Sequence, residues 1–336
     1  MKKLKIGYLG MGAWGYCLAS LLAAKNGHEV VCWTTKPDLV ERLEKTREHP
    51  LLPGFKSKGQ MTFTTDMALA IHDADIIVES VTSAGLRPVF EQVRSLKLPL
   101  CPIIITSKGI EQDTGRILPE VATEVLGNDF HPLIGMLSGP SFAQDVIRGL
   151  PTSVVGTAYA MDTMQKICDL FTTPTFRVYP NGDILGVAFG GALKNIIGIA
   201  CGISEGLSLG LSSRAALMTR GLHEIRKLAV ARGCRPDTIN GLAGMGDLCV
   251  TCSSPISRNF RFGMLLAQGL SSEEAQKKIG MVVEGAYTCI SALQISEQCN
   301  VTMPIAETVY NIIANHIHPT EAVAALMQRT IKEEHL

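Results

Sequence analysis

The stretch LKIGYLGMGAWGYCLASLLAAKNGHEVVCW, residues 4–33, constrains the fold more than any other part of this 336-residue chain. A short apolar run from Leu4 to Leu9 reads as a strand, and an alanine- and leucine-rich segment after it reads as a helix. Gly27 ends that helix, and Glu29–Trp33 reads as a second strand. Between the first strand and the helix stands Gly10-Met11-Gly12-Ala13-Trp14-Gly15. A GxGxxG turn in a strand–helix–strand unit is the fingerprint of a dinucleotide-binding sheet. Gly10 allows the tight turn, Gly12 lets the backbone approach a pyrophosphate, and Gly15 lets the helix pack closely. The helix N-terminus then receives the phosphates through its N–H groups and dipole.

The end of the second strand bears on which dinucleotide. Enzymes of this kind that use NAD usually place an acid there for the ribose 2′-hydroxyl. This chain has Thr34, Thr35 and Lys36, with no acid before Asp38. Two hydroxyls and a lysine suit a 2′-phosphate, so NADP(H) is the favoured cofactor, with NAD(H) a second possibility. Further strands are expected at Asp75–Val78, Pro102–Thr106, Pro132–Leu137 and Thr152–Gly156, with helices between several of them. Two segments then fall at strand ends, where such sheets bind ligands: Ser107–Glu111, carrying Lys108, and Leu137–Ala143.

From Gly186 onward the pattern turns helical, with breaks near residues 210, 233 and 269. The expected organisation is an α/β Rossmann-type doubly wound sheet over 1–185 followed by an all-α domain over 186–336. Inside the second half lies GGALKNIIGIACGI, residues 190–203, whose one charge is Lys194. A helix apolar on every side is a buried helix, and neither uncharged half reaches the roughly 20 apolar residues that span a bilayer. Its ammonium either snorkels to the surface or stays desolvated, which lowers a lysine pKa. Downstream, Asp247 lies between a glycine-rich loop, Gly241–Gly246, and an apolar residue, a natural place for a carboxylate facing lysines. Ser257 is expected to cap a helix over 259–268. With Arg258 and Asn259 it makes an anion cradle of backbone N–H groups, helix dipole and guanidinium.

Composition narrows the partners. Lys plus Arg and Asp plus Glu both number 31, so no net charge favours nucleic acid or an anionic membrane. The ten cysteines are scattered through apolar runs, as in reduced cytosolic proteins. Cys249 and Cys252 have CxxC spacing, but no second ligand pair accompanies them, so no metal site is expected. The start, MKKLKIGYLGMG, is broken by glycines and lacks a signal-peptide apolar region. A cytoplasmic protein without stable membrane insertion is the expectation.

Taken together, GMGAWG (10–15), SKGIE (107–111), SGPSFA (138–143), GGALKNIIGIA (190–200), AALMTRGLHE (215–224), GLAGMGDLCVTCSSPISRN (241–259) and VVEG (282–285) resemble the bacterial-type NAD(P)-dependent glycerol-3-phosphate dehydrogenases from end to end. The resemblance implies interconversion of dihydroxyacetone phosphate and sn-glycerol 3-phosphate, supplying glycerophospholipid synthesis, by a homodimer. It makes Lys194 the catalytic acid/base and brings Lys108, Gly139, Ser141, Asp247, Ser257, Arg258 and Asn259 to the substrate. It lines the cofactor with Trp14, Lys108, Ala143, Arg258, Val282 and Glu284, beside Gly10, Gly12, Ala13, Gly15 and Lys36. Three departures affect cofactor detail: Ala13 stands where serine or asparagine is common, Ala188 where glutamate is frequent, and Ser212-Ser213 where asparagine is usual. The rival readings are a 6-phosphogluconate-type β-hydroxyacid dehydrogenase, which lacks the SRN cradle and GMGDL stretch, and a redox sensor that binds NADP(H) without turnover.

Overall fold

The computed structural model describes residues 3–96, 99–331 and 333. The chain divides into two compact units, one of residues 1–107 and 118–184, the other of residues 108–117 and 185–336. This differs from a single cut after residue 185: ten residues from the middle of the first half belong to the second unit.

The first unit is an eight-stranded sheet with strands β1 (Lys5–Leu9), β2 (Glu29–Trp33), β3 (Gln60–Thr64), β4 (Ile76–Glu79), β5 (Ile103–Ile105), β6 (Ile134–Ser138), β7 (Thr152–Ala158) and β8 (Phe176–Pro180). Their order across the sheet is β3-β2-β1-β4-β5-β6-β7-β8. Strands β1 to β6 run parallel, β7 is antiparallel to β6, and β8 is parallel to β7. The direction of winding reverses between β1 and β4, so a crevice for a ligand opens at their carboxyl ends. Helices of this unit are α1 (Ala13–Ala24), α2 (Pro37–Thr46), α3 (Met67–Ile71), α4 (Ser83–Ser95), α5 (Leu118–Leu126), α6 (Ala143–Ile147) and α7 (Met161–Phe171). The central strands are apolar because both faces are covered. Ile6, Tyr8, Val78 and Ile104 share one buried cluster with Leu18, Leu22, Phe171 and Phe176.

The second unit is helical: α8 (Ile184–Gly206), α9 (Gly210–Ala231), α10 (Pro236–Asn240), α11 (Asp247–Cys252), α12 (Arg258–Ala267), α13 (Ser272–Ile279), α14 (Glu284–Gln298), α15 (Pro304–Ala314) and α16 (Pro319–Met327). Helix α8 runs unbroken through Lys194 for 23 residues, long and apolar enough to cross a membrane, yet 94% of its most apolar window is buried in the protein. It is a core helix. Glycines let its neighbours close in: a Cβ on Gly202 would meet the Phe260 carbonyl oxygen of α12 at 2.0 Å. The stretch Leu242–Gly246 is not the loop its glycines suggest. It is a wide helical turn of π type leading directly into α11.

Candidate active site

In the sheet unit, the glycine turn divides its labour as the spacing predicts. Gly10 has φ +99°, and a Cβ there would meet the Ser80 carbonyl oxygen at 2.7 Å. A Cβ on Gly15 would lie 2.0 Å from the Gly10 carbonyl oxygen. Gly12 is the opposite case, with nothing within 4 Å of the same position. The first turn of α1 has no acidic residue, and its N-cap, Gly12, has no side chain to occupy the N–H groups. An open, uncapped, acid-free helix N-terminus at the reversal point of the sheet fits a pyrophosphate. Ala13 and Trp14 are half-buried beside it. Behind the turn, the Tyr8 hydroxyl is 2.8 Å from the Ser80 hydroxyl, tying the ends of β1 and β4 together.

Other candidates line the same carboxyl edge. Gly139 and Ser141 follow β6, with the Ser141 hydroxyl donating to the Gly139 carbonyl at 3.1 Å. Ala143 opens α6, its carbonyl accepting from the Cys17 thiol of α1 at 3.5 Å. Thr34 is buried at the end of β2, whereas Thr35 and Lys36 are exposed, Lys36 at the N-cap of α2.

The helical unit holds a cluster of charge. Lys194 is 8% exposed. Its Nζ donates to Asp247 Oδ1 at 2.7 Å and to the Thr251 hydroxyl at 2.7 Å, so it does not snorkel. The other carboxylate oxygen, Asp247 Oδ2, accepts from Lys108 Nζ at 2.6 Å. Two ammonium groups therefore share one carboxylate that is 2% exposed. Burial pushes the Lys194 pKa down to about 8; Asp247 opposes the shift and Lys108 reinforces it.

Thr251 is the residue sequence reasoning missed. It lies four positions after Asp247 on α11, hence on the same helix face, a signal legible only once Leu242–Gly246 is known to lead into a helix. Around the cluster, Ser257 caps α12, its hydroxyl accepting from the Phe260 N–H at 3.3 Å. Helix α12 starts at Arg258 and ends at Ala267, one residue before the expected bounds at each end. Asn259 is buried and pinned: its amide donates to Asn195 Oδ1 at 2.8 Å and its Oδ1 accepts from the Gly285 N–H at 3.0 Å. Arg258 is exposed, within the field of the Glu284 carboxylate and the Arg261 guanidinium. Glu284 opens α14, and Val282 just before it is 39% exposed. Among the described residues no group of three or more His, Cys, Asp or Glu could hold a metal ion.

A mostly parallel sheet with a bare glycine turn at its reversal point, in one chain with a desolvated lysine on a buried carboxylate, fits a dinucleotide-dependent dehydrogenase. Comparison with known proteins makes the class specific. The chain matches the family described as NAD-dependent glycerol-3-phosphate dehydrogenase, its N-terminus over residues 5–164 and its C-terminus over residues 183–324. It is 77% identical over 332 residues to the NAD(P)+ glycerol-3-phosphate dehydrogenase of Protochlamydia amoebophila, covering 99% of each. To that of Chlamydia pneumoniae it is 56% identical, over 99% of this chain and all of the other. Among solved structures, the glycerol-3-phosphate dehydrogenase of Coxiella burnetii superposes with a TM-score of 0.91 at 34% identity, covering 97% of this chain and 99% of that one. The chain belongs to the NAD-dependent glycerol-3-phosphate dehydrogenase family.

Proposed function

We propose that the chain interconverts dihydroxyacetone phosphate and sn-glycerol 3-phosphate with NADP(H) or NAD(H), the reaction its relatives are named for, and that Lys194 handles the proton. The observation that carries the residue assignment is the shared carboxylate: Lys194 and Lys108 both bonded to the buried Asp247. When bound, the nicotinamide supplies or accepts the hydride. Gly10, Gly12, Ala13, Trp14 and Gly15 would hold the dinucleotide, with Ala143 beside α1 and Lys36 as the cation for a 2′-phosphate. The family resemblance also gives Val282 and Glu284 to the cofactor.

Reduction of the ketone leaves an alkoxide that needs a proton. Lys194, with its pKa near 8, donates it close to the pH where transfer is most efficient. Asp247 and Thr251 aim the ammonium. Lys108 stabilises the negative charge building on the ketone oxygen. Ser257, Arg258 and Asn259 grip the phosphate at the α12 N-terminus, and Asn195 orients Asn259; the family resemblance also gives Gly139 and Ser141 to the substrate. Holding the phosphate fixes the ketone carbon for transfer. A product with phosphate and two hydroxyls suits acylation in glycerophospholipid synthesis. The burial of α8 inside the protein supports the absence of membrane insertion, and the cytoplasmic homodimer stays part of this reading on the family resemblance alone.

The pH dependence tests this with its sign fixed. Ketone reduction requires protonated Lys194, so its kcat should fall as pH rises through about 8. Alcohol oxidation requires the neutral amine, so its kcat should fall as pH drops through the same value. Limbs that run the same way in both directions would remove Lys194 from the proton step.

A further inference from the structure

The ten residues Lys108–Ile117 leave the sheet unit after Ser107, fold with the helical unit, and return at Leu118. This excursion is tied to itself. Ile110 and Ile117 form an antiparallel bridge. The Glu111 N–H donates to the Arg116 carbonyl at 2.8 Å and the Gly115 N–H to the Glu111 carbonyl at 3.1 Å. The Thr114 hydroxyl donates to the Glu111 carboxylate at 2.7 Å. It is also seated on α14. The Ser291 hydroxyl donates to the Glu111 carbonyl at 3.4 Å. Gly115, at φ +66°, lies so near Ile295 that a Cβ would meet its Cγ1 at 3.2 Å. Ile110 and Ile117 are 2% and 0% exposed. A segment that only reconnected β5 to α5 would need none of this order, and its first residue is Lys108.

We infer that the 108–117 loop is a positioning device for the proton transfer: Glu111 and Gly115 seat it on α14, and the buried Ile110–Ile117 bridge keeps it closed, so that Lys108 stays on Asp247 opposite Lys194. These residues act through Lys108 and not on the substrate. The inference rests on the acid/base reading of Lys194 and adds what sets its acidity. The charged and titratable groups acting on Lys194 are Asp247 and Cys252, both on α11, and Lys108 on the loop; of these only Lys108 makes it less basic. A loosened loop that lets Lys108 retreat must therefore make Lys194 more basic. Because reduction uses the protonated amine, its alkaline limb then moves to higher pH.

The test is the pH profile of kcat for dihydroxyacetone phosphate reduction in full-length Ile117→Ala, with Lys108→Met as the reference for a missing cation and Ile117→Val as the conservative rescue. In Ile117→Ala the alkaline limb should rise in the direction seen for Lys108→Met, by roughly half a unit to one unit. Its kcat should fall by about 10- to 100-fold, the upper figure being the scale of a 1 Å misplacement. KM for NADPH should stay unchanged, and Ile117→Val should return limb and rate toward wild type. A lower Tm with an unmoved limb would overturn the inference. Should Ile117→Ala not fold, Gly115→Ala strains the same seat at its other end and carries the same expectation and the same refutation. Lys194→Ala separates the two ideas. If it keeps its rate, the acid/base reading fails. If it loses its rate while loop variants leave the limb in place, only the loop inference fails.

Discussion

The glycine turn of the sheet unit and the lysine–aspartate cluster of the helical unit prepare for a ligand in opposite ways. At the turn the protein removes side chains: Gly12 has nothing within 4 Å where a Cβ would sit, and the α1 N-terminus carries no cap and no acid. In the cluster it adds what a core normally excludes, a buried lysine and a buried aspartate, with a second, half-buried lysine on the same carboxylate. Backbone N–H groups are cheap to present and fixed in position, which suits a phosphate that has to be held. A proton donor has to change charge near neutral pH, and only desolvation or neighbouring charge brings a lysine there. On the proposed function the contrast separates holding from reacting, and substitutions can break it at either end.

The largest effect should come from the cluster. Lys194→Ala should lose roughly 10² to 10⁴ in turnover, the range for an acid/base group, while NADPH binding measured by fluorescence titration persists. Loss of NADPH binding in this variant would erase the distinction drawn here. Next comes the turn. Gly12→Ala should fold with an unchanged Tm, since the protein leaves its Cβ space open. Yet it should weaken NADPH at least tenfold by intruding on the approach of the pyrophosphate, about 1.4 kcal/mol or more. Equal affinity in titrations of wild type and variant would mean that the opening serves some other purpose.

A smaller effect belongs to Arg258. Removing a charge-assisted phosphate contact costs about 1.5–3 kcal/mol, so Arg258→Ala should raise KM for dihydroxyacetone phosphate on the order of 10- to 100-fold. Use of unphosphorylated dihydroxyacetone should barely change; an equal loss on both substrates would assign Arg258 to the fold or the cofactor. The smallest is expected at Lys36. An exposed pair contributes about 0–1 kcal/mol, so Lys36→Ala should trim the preference for NADPH over NADH, read as a ratio of kcat/KM values. A wild type that favours NADH would show that the 2′ position is read elsewhere.

What could be read from the sequence follows the range of the interactions. The β1–α1–β2 unit, the tight positions of Gly10 and Gly15 and the capping of α12 by Ser257 are local and were legible. So was the strangeness of Lys194, because one charge in an apolar helix demands a partner. The two strands not anticipated, β3 and β8, are the edges of the sheet. Their mixed burial, with Gln60, Thr62, Arg177, Tyr179 and Pro180 facing solvent, hides the apolar run that marks a central strand. Thr251 was obscured because glycines at 241, 244 and 246 mimic a loop where the chain in fact coils into α11. The allegiance of residues 108–117 depends on partners far along the chain, and no local pattern encodes it.

That allegiance has a consequence during synthesis. Lys108 and Asp247 are 139 residues apart, and ribosomes add roughly 5–20 residues per second. About 7 to 28 seconds thus separate the emergence of the lysine from that of its carboxylate, by the same rates. Over that interval Ile110 and Ile117 lack α14, the helix that later seats their loop, and non-local closure of this kind slows folding. A gene cut at residue 185 would yield neither unit whole. The first fragment would carry ten residues without the helix that seats them, and the second would lack the cation that shares its buried carboxylate.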